Sequence, residues 1–184
     1  MMSNNVKRIN RELKYSGAII DVYSDTMEFS NGNTEKWDFV SHRKGAAAVV
    51  AVLPNGKLIL VRQYRNSVEG NMLEIPAGSR DSVTEPTYIC ALRELEEETG
   101  YKAGKLEILI TLCSTAAFCD ELIDIYLATE LIKTNQSLDE NEFVEIEEYE
   151  LSTLIDMIFN QEICDGKTIA GILAYNALIS RKQE

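Results

Sequence analysis

The sequence predicts an α+β domain in which a β-sheet is sandwiched between helices, preceded by a small antiparallel β hairpin. Three observations predict it. Residues 45–53 form an apolar run closed by the turn Pro54-Asn55-Gly56, as expected of a strand buried on both faces. Residues 106–113 and 122–129 alternate apolar with polar side chains, the period of half-buried strands. Residues 85–99, 152–161 and 168–181 instead read as helices.

Along the chain, residues 1–13 are polar and expected to be loose, and residues 15–29 alternate as strands. Ser30-Asn31-Gly32-Asn33 signals a hairpin turn, with residues 37–40 as the returning strand. Residues 57–64 are the partner of the buried run, and Glu74-Ile75-Pro76-Ala77-Gly78 leads into the first helix. Thr84 is its expected cap, Pro86 lies in its first turn and Gly100 follows its last residue. The loop 114–121 is expected to line a site, residues 143–149 form a strand, and Asp165-Gly166-Lys167 turns between the last two helices. Residues 1–44 are thus a hairpin region and residues 45–184 the main domain.

Composition narrows the function. The 184 residues, 45% of them hydrophobic, can build a substantial core. A net charge of −12 argues against nucleic acid or an anionic membrane as partner, and any phosphate compound would need cations to bridge it. No apolar run approaches the roughly 20 residues of a membrane span. Cys90, Cys113, Cys119 and Cys164 show no CxxC pairing and no basic-then-apolar leader precedes them, so reduced thiols in a soluble, cytoplasmic protein are expected. With His42 as the single histidine, a structural zinc site is not indicated.

The stretch richest in chemistry is the first helix. At about 100° per residue, Glu94, Glu97 and Glu98 share an arc of roughly 100°, with Tyr88, Leu92 and Leu95 on the far side. Arg93 is the one basic residue among them. Carboxylates stacked one turn apart repel each other unless a cation lies between them, and an oxygen-only donor set suits Mg²⁺ or Mn²⁺. On charge pattern alone, a solvated acidic face is the alternative.

Arg93-Glu94-Leu95-Glu96-Glu97-Glu98-Thr99-Gly100-Tyr101 resembles, at every fixed position, the REUxEExGU half of the Nudix box, U being a bulky apolar residue. Seven residues separate Glu85 from Arg93, as in that pattern, but six rather than five separate Gly78 from Glu85. Glu-Ile-Pro-Ala-Gly, the acidic Asp139-Glu140-Asn141-Glu142 and Asp165-Gly166-Lys167-Thr168 extend the resemblance to the ADP-ribose and nucleotide-sugar pyrophosphatase branch of the Nudix hydrolases. It implies an α/β/α sandwich and hydrolysis of ADP-ribose, GDP-mannose or a similar compound at its pyrophosphate. It also implies a homodimer in which residues of about 15–42 reach across to the partner.

The resemblance further implies a site. Glu94, Glu97 and Glu98 would hold Mg²⁺ or Mn²⁺ with the Ala77 carbonyl and Glu142. Glu140 would take a proton from the attacking water, with Glu97 as the alternative base, while Arg93 orients the box glutamates. Arg65, Arg43 and Glu121 would contact substrate; Trp37, Tyr15 and Tyr23 could stack on a base or simply pack. Ala116 stands where that branch has a proline, which touches specificity rather than hydrolysis. A ligand-sensing module without turnover is the other class, but such modules lose box glutamates and this chain retains them.

Overall fold

The structure, a computed structural model, describes residues 5–181. It opens with β1 (Val6–Ser16), β2 (Ile20–Phe29) and β3 (Thr34–His42), which form their own antiparallel sheet in the order β1-β2-β3. The turn between β2 and β3 falls at the expected place, with Gly32 at φ 83° and the Asn33 N–H donating to Asn31 Oδ1. Residues 6–13, expected to be loose, lie instead in β1. Their polar side chains alternate across a strand whose backbone is satisfied by β2, and Arg11 reaches over to grip Asp25 at 2.7 and 2.6 Å. Any call on residues 1–4 falls outside the described residues.

The main sheet has seven strands. β4 (Ala46–Val52), β5 (Leu58–Arg65), β9 (Lys105–Cys113), β10 (Leu122–Thr129) and β12 (Val144–Tyr149) run in the order β12-β5-β4-β10-β9. Two short strands that sequence patterning missed, β6 (Gly70–Glu74) and β7 (Ala77–Ser79), pair with β5 and β4. A further two-stranded piece joins β8 (Tyr101–Lys102) to β11 (Ile132–Lys133). Central β4 lies parallel to β10, which explains why its apolar run is continuous: both faces are covered.

Those faces belong to two cores. Ala47, Val49 and Ala51 pack with Cys90, Ala91 and Leu95 of helix α1 (Thr87–Thr99). Ala48 and Val50 pack on the opposite side with Leu154 of α2 (Leu151–Phe159) and Ile172 of α3 (Gly166–Arg181). The fold is therefore the α+β sandwich expected. Gly166 begins α3 rather than forming a turn before it.

Helix α1 also starts two residues later than expected. Pro86 is extended at φ −62°, ψ 139°, and its carbonyl accepts the N–H groups of Ile89 and Cys90. The Thr84 hydroxyl is 3.0 Å from the Ser82 hydroxyl and caps nothing. The other end is as read: Gly100 takes the left-handed conformation at φ 68° and its N–H donates to Glu96 O at 2.8 Å.

Candidate active site around the acidic helix

The faces of α1 divide differently from the simple acidic and apolar halves. Ala91, Leu95 and Glu98 follow one another at i, i+4 and i+7, so the row that packs on the sheet ends in a carboxylate. Glu98 is only 1% exposed, whereas Tyr88, expected to help bury the helix, is 44% exposed. The Glu98 carboxylate accepts the Ala77 N–H at 2.9 Å. With no cation beside it, burial pushes its pKa up to about 8; the neighbouring Glu94 and Glu142 add to the rise, and the Ala77 N–H and Arg65 oppose it.

Glu94 lies one turn earlier and faces Gly78. A Cβ on Gly78 would stand 2.1 to 2.3 Å from the Glu94 carboxyl group, so glycine is what gives that group its room. Burial raises Glu94 to about 7; Arg93 draws it down, and Glu97 and Glu142 push it up again. Arg93 binds Glu94 Oε1 at 2.7 Å, Glu97 Oε2 at 3.0 Å, Glu85 Oε1 at 3.4 Å and the Ser79 carbonyl at 3.0 Å. Burial alone would lower the Arg93 pKa, but these carboxylates outweigh it and raise it. Arg93 thus contacts three of the box carboxylates at once.

The acidic loop is strapped to the end of the same helix. Thr134 N–H donates to Gly100 O at 2.7 Å, Gln136 Nε2 to Glu98 O at 2.7 Å and Ser137 N–H to Glu97 O at 3.0 Å, which satisfies carbonyls that a helix C-terminus leaves open. Gln136 Nε2 also reaches Val144 O at 3.2 Å. The loop so held brings Glu142 near Glu94 and Glu98, where it accepts a bond from Gln63 Nε2 at 3.2 Å. Glu140 stands exposed farther out on that loop.

A cavity of about 400 Å³ opens beside this cluster, with Ala77, Gly78, Ser114 and Glu121 on its wall together with Arg65 and Lys167. The loop 114–121 thus lines a cavity. It is fixed from the other side by the N-terminal sheet: Val40 N–H donates to Phe118 O at 2.7 Å, and Asp120 accepts from the Ser41 hydroxyl and the His42 N–H.

The two arginines expected on substrate are both engaged. Arg65 donates through Nε and Nη2 to Glu74 at 2.7 Å each, and it also lines the cavity. Arg43 is engaged within the N-terminal element. Its Nε and Nη2 donate to Asp21 and Ser16 and its Nη1 to the Ala18 carbonyl, so it clasps the N-terminal element to itself. That clasp holds the Asp21 carboxyl down at about 2. Tyr23 packs against Phe39, and Trp37 sits edge-on to Phe29.

A family model described as the NUDIX domain matches residues 42–170. The chain belongs to the Nudix family. The ADP-ribose pyrophosphatase of Bacillus subtilis (strain 168) is 41% identical to it over 174 residues, 94% of this chain and 93% of that protein. The methanol dehydrogenase activator of Bacillus methanolicus is 39% identical over 168 residues, 90% of each. A crystal structure of an ADP compounds hydrolase shares the fold, with a TM-score of 0.87 over 97% of this chain and 96% of that one, at 23% identity.

Nudix hydrolases generally use a divalent cation, and the residues here suit one. Burial raises the Glu94 and Glu98 carboxyls even with Arg93 beside Glu94, Gly78 leaves space before Glu94, and the carboxylates offer the hard oxygen donors such a cation takes. As they stand, the side chains turn to protein donors, and among the described residues no three Asp, Glu, His or Cys are already gathered around a point.

Three features of this Nudix site were not anticipated. Arg80 folds the lengthened box loop around itself, donating to Val83 O and Glu85 O at 3.1 Å and to Lys44 O. Gln136 ties the acidic loop to α1. Glu74, also 1% exposed, is held by Arg65 and by the Lys167 ammonium. The motif Glu-Ile-Pro-Ala-Gly names Glu74, but nothing local in sequence points to a partner 93 positions on.

Proposed function

We propose that the chain is an Mg²⁺-dependent pyrophosphatase of nucleoside diphosphate sugars, with ADP-ribose as the favoured substrate. The observation that carries this is the Nudix-box pair Glu94 and Glu98, both raised by burial above the ordinary carboxylate range, in a chain 41% identical to an ADP-ribose pyrophosphatase along nearly its whole length.

In this reading Glu94, Glu98, Glu142, Glu97 and the Ala77 carbonyl hold Mg²⁺, or Mn²⁺ in its place. Bound there, such an ion supplies neutralisation of the diphosphate and of the charge that gathers on its oxygens. Arg93 keeps Glu94 and Glu97 in line. Glu140 accepts a proton from water; the water oxygen bonds to phosphorus, the bridging P–O bond breaks, and AMP and ribose 5-phosphate leave. Glu97 is the alternative base. Glu140→Gln and Glu97→Gln separate them: loss of the base costs roughly 10²- to 10⁴-fold in kcat even at saturating Mg²⁺, whereas loss of a ligand alone is offset by raising Mg²⁺. Arg65 and Glu121, which line the cavity, contact the substrate.

Incubation with Mg²⁺ and ADP-ribose should yield AMP; its absence would reject that substrate. GDP-mannose, ADP-glucose, NADH and diadenosine polyphosphates then distinguish subclasses. Tight nucleotide-sugar binding in a calorimeter without product would favour a sensing module. The likeness to the methanol dehydrogenase activator favours a second reading, action on a dehydrogenase, tested by adding the protein to methanol dehydrogenase and following alcohol oxidation.

We also infer a homodimer formed through residues 1–44, where Ile9, Leu13, Tyr15 and Ile19 stand exposed on the N-terminal sheet. Light scattering tests this. The four cysteines, all free, suit a reducing compartment such as the cytoplasm. Among the described residues no helix is long and apolar enough to cross a membrane.

A further inference from the structure

The start of α3 holds a buried polar group that the proposed chemistry does not use. Thr168 is fully buried, and its hydroxyl donates to Asp165 Oδ2 at 2.6 Å while accepting the Ile75 N–H at 2.9 Å. Asp165 Oδ2 also takes the Thr168 N–H and the Lys167 ammonium, each at 3.0 Å. On the next residue, the Pro76 carbonyl accepts the Val49 N–H at 2.8 Å. On the one after, the Ala77 N–H donates to Glu98 Oε2. Three consecutive residues are thus fastened to α3, to β4 and to α1.

Helix α3 comes this close because Gly171, on the turn after Thr168, has no side chain. A Cβ there would stand 3.0 Å from Val50 and 3.2 Å from Ile75. We propose that Thr168, oriented by Asp165, is a positioning residue: its hydroxyl sets the register of the 75–77 backbone against α1 and thereby the aim of the Glu98 carboxylate. The Ala77 N–H is the hydrogen bond that carboxylate has among the described residues, so a slip of the segment passes directly to Glu98. Groups that orient a ligand matter almost as much as the ligand, since a misaimed carboxylate meets the ion off its lone pairs. The activity and ion-binding arms of the test below rest on the reading of Glu98 as a cation ligand; the exchange arm does not.

Valine matches threonine in shape but can neither donate nor accept, whereas serine keeps the hydroxyl. Thr168→Val and Thr168→Ser are therefore compared with wild type in three measurements: amide hydrogen exchange without metal, Mn²⁺ binding followed by the spin resonance of the free ion, and kcat and KM for ADP-ribose. In Thr168→Val, exchange at Ile75 and Ala77 should quicken while the rest of β4 and β5 stays protected. Mn²⁺ affinity should drop roughly tenfold or more, and kcat should fall with KM little changed. Thr168→Ser should restore all three. Should Thr168→Val not fold, Asp165→Asn serves in its place and should move each readout the same way. Unchanged exchange at Ala77, or a serine variant as impaired as the valine one, overturns the proposal. Wild-type protein that neither binds Mn²⁺ nor turns over ADP-ribose would remove the cation reading instead, and the exchange result would still decide the clamp.

Discussion

Glu74 and Glu98 are equally buried, each 1% exposed, and both lie within the segment and helix that frame the cavity, yet their surroundings are opposite. Burial would raise Glu74, but the Arg65 fork and the Lys167 ammonium outweigh it and hold its pKa below the ordinary carboxylate value. Glu98 has an amide and a distant guanidinium, and burial wins, pushing it to about 8. One carboxylate carries its counter-charges within the chain; the other waits for a charge from outside. Burial alone therefore does not mark a functional acid. A buried acid whose neutralisation is missing does.

The sharpest way to break this contrast is Glu98→Gln. At saturating Mg²⁺ it should lower kcat by roughly 10²-fold or more, while the melting temperature of the metal-free protein at pH 8 holds or rises, because an uncompensated charge has been removed. Full activity in steady-state assays would sink the assignment. Glu74→Gln should do the reverse. It strands Arg65 and Lys167 and should cost about 2 kcal/mol or more in urea unfolding, short of the ~3–5 of a fully enclosed pair because Arg65 reaches solvent. A Glu74 variant as stable as wild type would erase the distinction.

Acidity sharpens it further. For Glu94 and Glu98 the folded values, about 7 and about 8, lie above the unfolded carboxylate value, so the folded state binds more protons across that window. The stability they contribute is complete below the unfolded pKa and is lost as pH rises through the folded ones. Metal-free protein should thus melt progressively lower from about pH 5 to about pH 8, a loss on the order of a few kcal/mol, and Mg²⁺ should reverse it at the alkaline end. A flat profile in differential scanning fluorimetry without metal would contradict these values. The smallest effect is expected from Gly78→Ala. Its Cβ would displace only the flexible end of Glu94, so the fold should survive while the Mg²⁺ concentration for half-maximal rate rises several-fold.

What could be read from the sequence follows the range over which its signals act. The box glutamates, the Gly100 terminus, the Asn31-Gly32 turn and the doubly buried β4 all depend on residues within a few positions, and local pattern sufficed. Residues 6–13 misled because Val6, Ile9 and Leu13 do not follow the two-residue period of a half-buried strand; only the pairing with β2 reveals it. The faces of α1 misled because the acidic and apolar arcs were read as separate halves with Tyr88 among the packed residues, when the row Ala91, Leu95, Glu98 already pointed inward. Arg43 was legible as a cation but not as one already claimed by Asp21, since an arginine's partner is a fact of tertiary structure. The Glu74, Lys167 and Thr168 contacts join residues some 93 apart, beyond any motif.

The strap at the end of α1 has a kinetic consequence. Anchored at Ser137 and re-entering the sheet at Val144, the intervening six-residue bow leaves Glu140 on a leash of about 10 Å of chain from its fixed point. With Glu140 as the proposed base, a carboxylate confined to so small a volume has a high effective molarity at the water it deprotonates. Glycines inserted into the bow would lower it only as a modest power of loop length, since the entropy of closing a loop grows with the logarithm of that length, so turnover should decline gently with each insertion rather than collapse.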